Sequence, residues 1–245
     1  LLSDKMVYYP RKRISGNSLY TSAMDHESYY ISPFRDGMLR TLQEMRKKFG
    51  NAPRYVQDAI LFSLRQNIRR ITSYKKERKL DKQSIKKFEK FASKIAKLID
   101  DSTIMQPYVA NFGPVFQFLF LHHFKKSESA PRILHLEYVK HDTLSVKFSY
   151  YHSGNAPRIQ FFINNEQIEP YATKITSEVF LRNLPVHTEQ AWIACNNLSD
   201  IISCKAIDSP NPVFIEYENK RIPSGVTVRR LAKKNKKKKK HTMTR

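Results

Sequence analysis

Tyr8-Tyr9-Pro10-Arg11-Lys12-Arg13, with Ser18 shortly after it, is the segment of this sequence whose residue types best suit an anion. Guanidinium forks match phosphate oxygens and a nearby hydroxyl adds a donor, so Arg11, Arg13 and Ser18 form a candidate phosphate-binding or nucleotide-sugar-binding group. A solvated basic turn is the competing reading of the same spacing. A second basic group comprises Lys233, Lys234, Lys236, Lys237, Lys238, Lys239 and Lys240. Such a run of like charges repels itself, which predicts an extended, disordered tail. It would attract an anionic membrane surface or another polyanion, bind nucleic acid by counterion release, or solubilise a linker.

Catalytic chemistry has little to work with. The sequence contains no Asp-x-Asp pair for a metal-bound diphosphate, no Gly-x-Ser-x-Gly elbow, no His-Glu-x-x-His helix and no phosphate loop. The adjacent acids Asp100 and Asp101 read as solvated or capping groups at a helix C-terminus near Lys97. His122 and His123 diverge if helical, which argues against a shared metal. Trp192 reads as sandwich core, with a sugar-stacking platform as the alternative. Cys195 and Cys204 are too few for a zinc site and read as buried free thiols. No catalytic and no metal-binding residue is assigned.

The elements that would position these groups change character along the chain. After a short aromatic strand at Met6 and a basic turn around Gly16-Asn17, helical patterning begins past Pro33. Phe34, Met38, Leu42 and Met45 share one face of a first helix that ends at Gly50-Asn51. Val56, Ile60, Leu64, Ile68 and Ile71 mark the buried stripe of a second, with Arg54, Arg65, Arg69 and Arg70 mostly on its other faces. Asp81 is a plausible N-cap for a third, in which Ile85, Phe88, Ala92, Ile95 and Ile99 follow the same spacing. A short apolar piece follows Pro114 and ends near Phe124.

Beyond Lys125–Pro131 the period shortens. Segments 133–139, 144–150, 159–163, 179–184, 191–195, 201–206 and 213–217 read as strands, about seven in all, which predicts a small antiparallel β-sandwich. The clearest hairpin is 161–168, where Asn164 and Asn165 can take the positive φ a tight turn requires. The fold class is therefore α+β, with a helical module of about three helices ahead of the sandwich.

Composition sets the function classes. The 245 residues carry a formal net charge of +22, and ten of the 44 basic residues lie in 229–245. The body remains basic without that tail, which favours polyanionic partners. Only six glycines against fifteen Phe and thirteen Tyr disfavour most mononucleotide-binding folds. The apolar run Val115–Leu121 is too short for a membrane span. Nucleic acid is a partner the charge suggests, but no RNP-like aromatic motif, helix-turn-helix signature or zinc-finger spacing supports it.

Several segments resemble a known family. Tyr8-Tyr9-Pro10-Arg11-Lys12-Arg13 resembles the Tyr-Tyr-Tyr-Arg-Lys-Arg segment that closes the catalytic GT-A domain in some family 2 glycosyltransferases of bacterial surface-polymer synthesis. Gly50-Asn-Ala-Pro53-Arg-Tyr55-Val56-Gln57 is similar to the Gly-x-x-Pro-x-Tyr-x-Gln helix start found there, and Ile99-Asp100-Asp101-Ser-Thr-Ile104-Met105-Gln106 to a second element. Several such enzymes carry a sandwich where the β-region falls, sometimes ahead of a glycerophosphotransferase domain of teichoic-acid synthesis. Pro10 departs from the third Tyr, and Arg65-Gln66-Asn67 stands where Gln-Trp-Arg is common.

The resemblance implies a division into 1–32, the end of a GT-A domain; 33–126, the helical module; 131–228, the sandwich; and 229–245, the basic tail. It also implies sugar transfer from a nucleotide-sugar to teichoic acid or capsule at the cytoplasmic membrane face. A divalent metal ion is expected only with the nucleotide-sugar in the catalytic part. The start at Leu1 and the missing acidic motif read as those of a chain lying downstream of that part, so this segment is expected to position acceptor or membrane and to be inactive by itself.

Overall fold

The computed structural model describes residues 26–73, 80–106, 112–127, 132–140, 142–207, 213–217, 220–223 and 225–229. It is an α+β chain, with a helical module followed by two packed sheets.

The first helical stretch starts earlier than its sequence predicts. Helix α1 (Glu27–Ser32) runs into a π-helical segment (Pro33–Leu39) and then α2 (Arg40–Phe49). Pro33 has no N–H to donate, yet it does not mark the beginning, because the chain passes it by widening to π-type hydrogen bonding. Phe34 and Leu42 are buried, with Met38 and Met45 packed against the same core. Gly50, at φ +79°, closes the stretch with a positive φ that glycine adopts without the Cβ penalty of other residues.

Helix α3 (Arg54–Ser73) buries Ile60, Leu64, Ile68 and Ile71 as the periodicity requires. Its buried face is wider than that one stripe, because Gln57, Asp58, Leu61, Arg65 and Asn67 are buried as well. Arg65 keeps only 4% of its surface, with its guanidinium 5.3 Å from the centre of the Phe116 ring. Helix α4 (Lys82–Leu98) begins at the N-cap Asp81, whose side chain accepts the Ser84 N–H at 2.7 Å. It buries Ile85, Phe88, Ala92 and Ile95. Helix α5 (Asp101–Met105) and helix α6 (Pro114–Phe118), with its π continuation (Leu119–Phe124), complete the module.

Among the described residues ten strands follow, more than the about seven expected: β1 (Arg132–Lys140), β2 (Ser145–His152), β3 (Ile159–Ile163), β4 (Glu166–Ile168), β5 (Ala172–Phe180), β6 (Leu184–Ala194), β7 (Ile201–Ala206), β8 (Val213–Tyr217), β9 (Lys220–Pro223) and β10 (Val226–Thr227). One sheet has the order β5-β6-β2-β1-β8-β9 and the other β10-β7-β3-β4. Among the described residues the pairings are antiparallel except β1 with β8, which is parallel from Arg132↔Val213 to His135↔Glu216. Phe148 of β2 and Phe161 of β3 stack across the two sheets at 5.9 Å, inside a core that also holds Val146, Ile193, Ile202 and Ile215. The β3–β4 hairpin turns through Asn164 and Asn165 at φ +52° and +72°, as its sequence predicts.

Residues 179–184 are not one strand. They are the end of β5, a turn, and the start of β6, paired from Phe180↔Leu184 to Ala172↔Trp192. The turn places Leu181 and Arg182 at φ +47° and +64° without glycine or asparagine at either position. Packing offsets that strain. Leu181 is fully buried among the helices, and Phe180, Leu184 and Val186 join the same hydrophobic cluster. The Leu181 N–H donates to Thr72 Oγ1 at 3.1 Å, and Arg182 donates to the Leu80 carbonyl at 3.3 Å. A boundary drawn at 125–131 therefore follows the chain, while the hairpin tip packs into the helical core.

Candidate functional site

Two of the segments that carry the family resemblance meet in space. The Gln57 amide, on α3 and 1% exposed, donates through Nε2 to Asp100 Oδ2 at 2.9 Å and to the Ala52 carbonyl at 2.7 Å. Its Oε1 accepts the Asp100 N–H at 2.8 Å. Asn51 Nδ2 donates to the same Asp100 Oδ2 at 2.7 Å, and Arg54 donates to the Gln106 carbonyl. Residues 51–57 and 100–106 are thus stitched together by amides and a carboxylate.

Asp100 and Asp101 do not end a helix as expected. Asp100 is the N-cap residue of α5 and Asp101 its first residue. Lys125 Nζ lies 2.5 Å from Asp101 Oδ1 and also donates to the Ile99 carbonyl, while Ser127 Oγ donates to Asp101 Oδ2 at 2.8 Å. With both carboxylates engaged by amides, a hydroxyl and an ammonium, this pair does not fit the metal of a nucleotide diphosphate. Among the described residues no group of three or more His, Cys, Asp or Glu is placed to hold a metal ion.

His122 stacks on Phe118 at 5.2 Å, whereas His123 meets Phe124 edge-on at 4.9 Å, so the two rings serve different neighbours. Burial holds the His123 imidazole below its ordinary pKa, with Lys126 adding to the effect. Cys195 and Cys204 are free and buried. Desolvation raises their thiols to about 11 and about 12 respectively.

Trp192 is not sandwich core. Ala191 and Ile193 take the inward positions of β6, which turns Trp192 to the outer face of the six-stranded sheet. There its Nε1 donates to the Tyr138 hydroxyl at 2.9 Å, and Lys147 Nζ lies 4.8 Å from its ring centre while pairing with Glu137 at 2.5 Å. The alternation of β6 announces two faces, but only the register settles which one faces the second sheet.

Arg11, Arg13 and Ser18, like Lys233, Lys234, Lys236, Lys237, Lys238, Lys239 and Lys240, lie outside the described residues. Sequence reading missed Arg65 and Asn67 as buried polar groups, and the spacing of α3 contains no signal that would single them out. Among the described residues no helix is long and apolar enough to cross a membrane. Neither a family model nor a curated protein matches the chain.

Proposed function

We propose that this chain is a non-catalytic, post-catalytic portion of a family 2 glycosyltransferase that elaborates a bacterial surface polymer, teichoic acid or capsule. In this reading the nucleotide-sugar and its metal belong to the catalytic part. The helical module and sandwich present acceptor, and the basic tail holds the enzyme peripherally at the cytoplasmic membrane face.

The observation that carries the reading is the union of residues 51–57 with 100–106 through Gln57 and Asp100. Two segments resembling family elements, far apart in sequence, build one rigid junction. The absence of an Asp-x-Asp pair in the sequence is consistent with a supporting rather than a catalytic role.

Two measurements test it. Purified chain is expected to turn over no nucleotide-sugar, and turnover abolished by substitutions within the chain would overturn the non-catalytic role. Phosphatidylglycerol vesicles should retain the chain, with loss of most binding when residues 233–245 are deleted and a steep fall with salt. Sequence-selective binding to RNA or DNA that survives this deletion would replace the transferase reading with a nucleic-acid one.

A further inference from the structure

Strand β5 is the outermost strand of the six-stranded sheet, and among the described residues no strand pairs with its far side. Its own pairing with β6 is regular from Ala172↔Trp192 to Phe180↔Leu184, without a bulge. Every residue from Ala172 to Val179 is exposed. Such an edge turns unpaired N–H and C=O groups to solvent, and a protein that keeps it from pairing interrupts it with proline, a bulge or clustered like charges. β5 has none of these, so its backbone is open to a further strand.

The charges of β5 indicate which strand that is. It carries one lysine, Lys174, and one acid, Glu178, four residues apart and therefore on the same face. When two copies of β5 pair antiparallel about a two-fold axis through Thr176, Lys174 of each copy stands opposite Glu178 of the other. Two opposite-charge pairs result. An axis through Ile175 or Ser177 sets Lys174 against Thr176 or Phe180 instead and forfeits both. The axis at Thr176 also sets Ile175, which is 59% exposed, opposite Ser177 and diagonal to Ile175 and Val179 of the second copy. Diagonal neighbours lie within reach of long side chains, so these exposed apolar groups cover one another.

We propose that β5 is a self-association edge, along which two copies of this chain join antiparallel through residues 173–179 in register about Thr176. The two six-stranded sheets then form one continuous sheet. The formal net charge of +22 opposes this approach at long range, but at 0.15 M salt that repulsion is screened over about 8 Å, whereas the pairs at the edge are in contact. The inference stands on β5 alone and apart from the transferase reading.

The test is sedimentation equilibrium of the full chain at about 0.15 M salt, up to about 100 µM. The wild-type chain should dimerise. Lys174→Glu and Glu178→Lys each convert both cross-strand pairs to like charges, so each should weaken the dimer roughly tenfold. The double variant Lys174→Glu, Glu178→Lys restores opposite charges with the positions exchanged, and should recover the wild-type association. If one single variant fails to fold, the other carries the comparison. A wild-type chain that stays monomeric would overturn the proposal, as would a dimer indifferent to both single variants or a double variant no better than they are.

Discussion

Gln57 and Asp100 hold each other in both directions: the amide of Gln57 donates to the Asp100 carboxylate and accepts from the Asp100 backbone. One side chain thereby fixes both the position of α5 and the orientation of its N-cap residue relative to α3. A glutamine suits this task because it carries donor and acceptor on one planar group, so neither partner is left unpaired when buried.

Replacing Gln57 with Leu removes three hydrogen bonds, one of them to a carboxylate, while keeping similar volume. The expected loss is about 2–4 kcal/mol, read as a lower urea midpoint with unchanged m-value. Gln57→Glu would set a second carboxylate against Asp100, so its deficit should shrink between pH 7 and pH 4 relative to wild type. A Leu variant as stable as wild type would show that the junction carries no net energy.

The hairpin tip offers a paired test of opposite sign. Leu181→Gly relieves a left-handed backbone but empties a fully buried site, and the packing loss of about 2–5 kcal/mol exceeds the relief of about 1–2 kcal/mol. Arg182→Asn at φ +64° keeps an exposed position and gives the backbone a residue that tolerates it, so melting temperature should hold or rise. Equal destabilisation by both would mean that backbone strain at the tip is negligible beside the contacts of Arg182.

The legibility of the sequence follows the same physics. The buried positions Phe34 and Leu42, then Ile60, Leu64, Ile68 and Ile71, then Ile85, Phe88, Ala92 and Ile95, together with the Asp81 cap and the Asn164-Asn165 turn, follow local patterns, and the structure bears them out. Strand β5 escaped notice because Ala172-Thr-Lys-Ile-Thr-Ser-Glu-Val179 is an exposed strand at a sheet edge, with no alternation of buried and exposed positions. The turn at 181–182 has no turn residues, since burial of Leu181 selects its conformation. For Trp192 and Arg65, register and neighbouring elements, not spacing, decide which face is covered. The union of 51–57 with 100–106 is a tertiary contact that neither segment signals alone.

The thiols give a pH-dependent expectation. Cys195 and Cys204 are raised by burial from about 9 to about 11 and about 12, so the folded chain keeps their protons where the unfolded chain releases them. Their contribution is complete below about pH 9 and is lost as pH rises through 11 to 12, because the unfolded state binds fewer protons there. The native chain at pH 8 should resist alkylation and react at both cysteines in denaturant. Rapid labelling of either thiol in the native state would contradict its burial.

The final expectation concerns the single tryptophan of the chain. Lys147 sits over the Trp192 ring at 4.8 Å and is itself pinned by Glu137, an arrangement in which the ammonium gains from the ring quadrupole while remaining paired. Lys147 and Trp192 face each other directly across β2 and β6, so a cycle of Lys147→Met, Trp192→Leu and the double variant isolates their contact. The coupling should be about 0.5–2 kcal/mol and should diminish with salt less than an exposed ion pair does, because the Lys147 side chain is only 12% exposed. A coupling near zero would assign the stability of this face to the Tyr138 hydrogen bond and the Glu137 ion pair, and would leave the upper face of the indole energetically free.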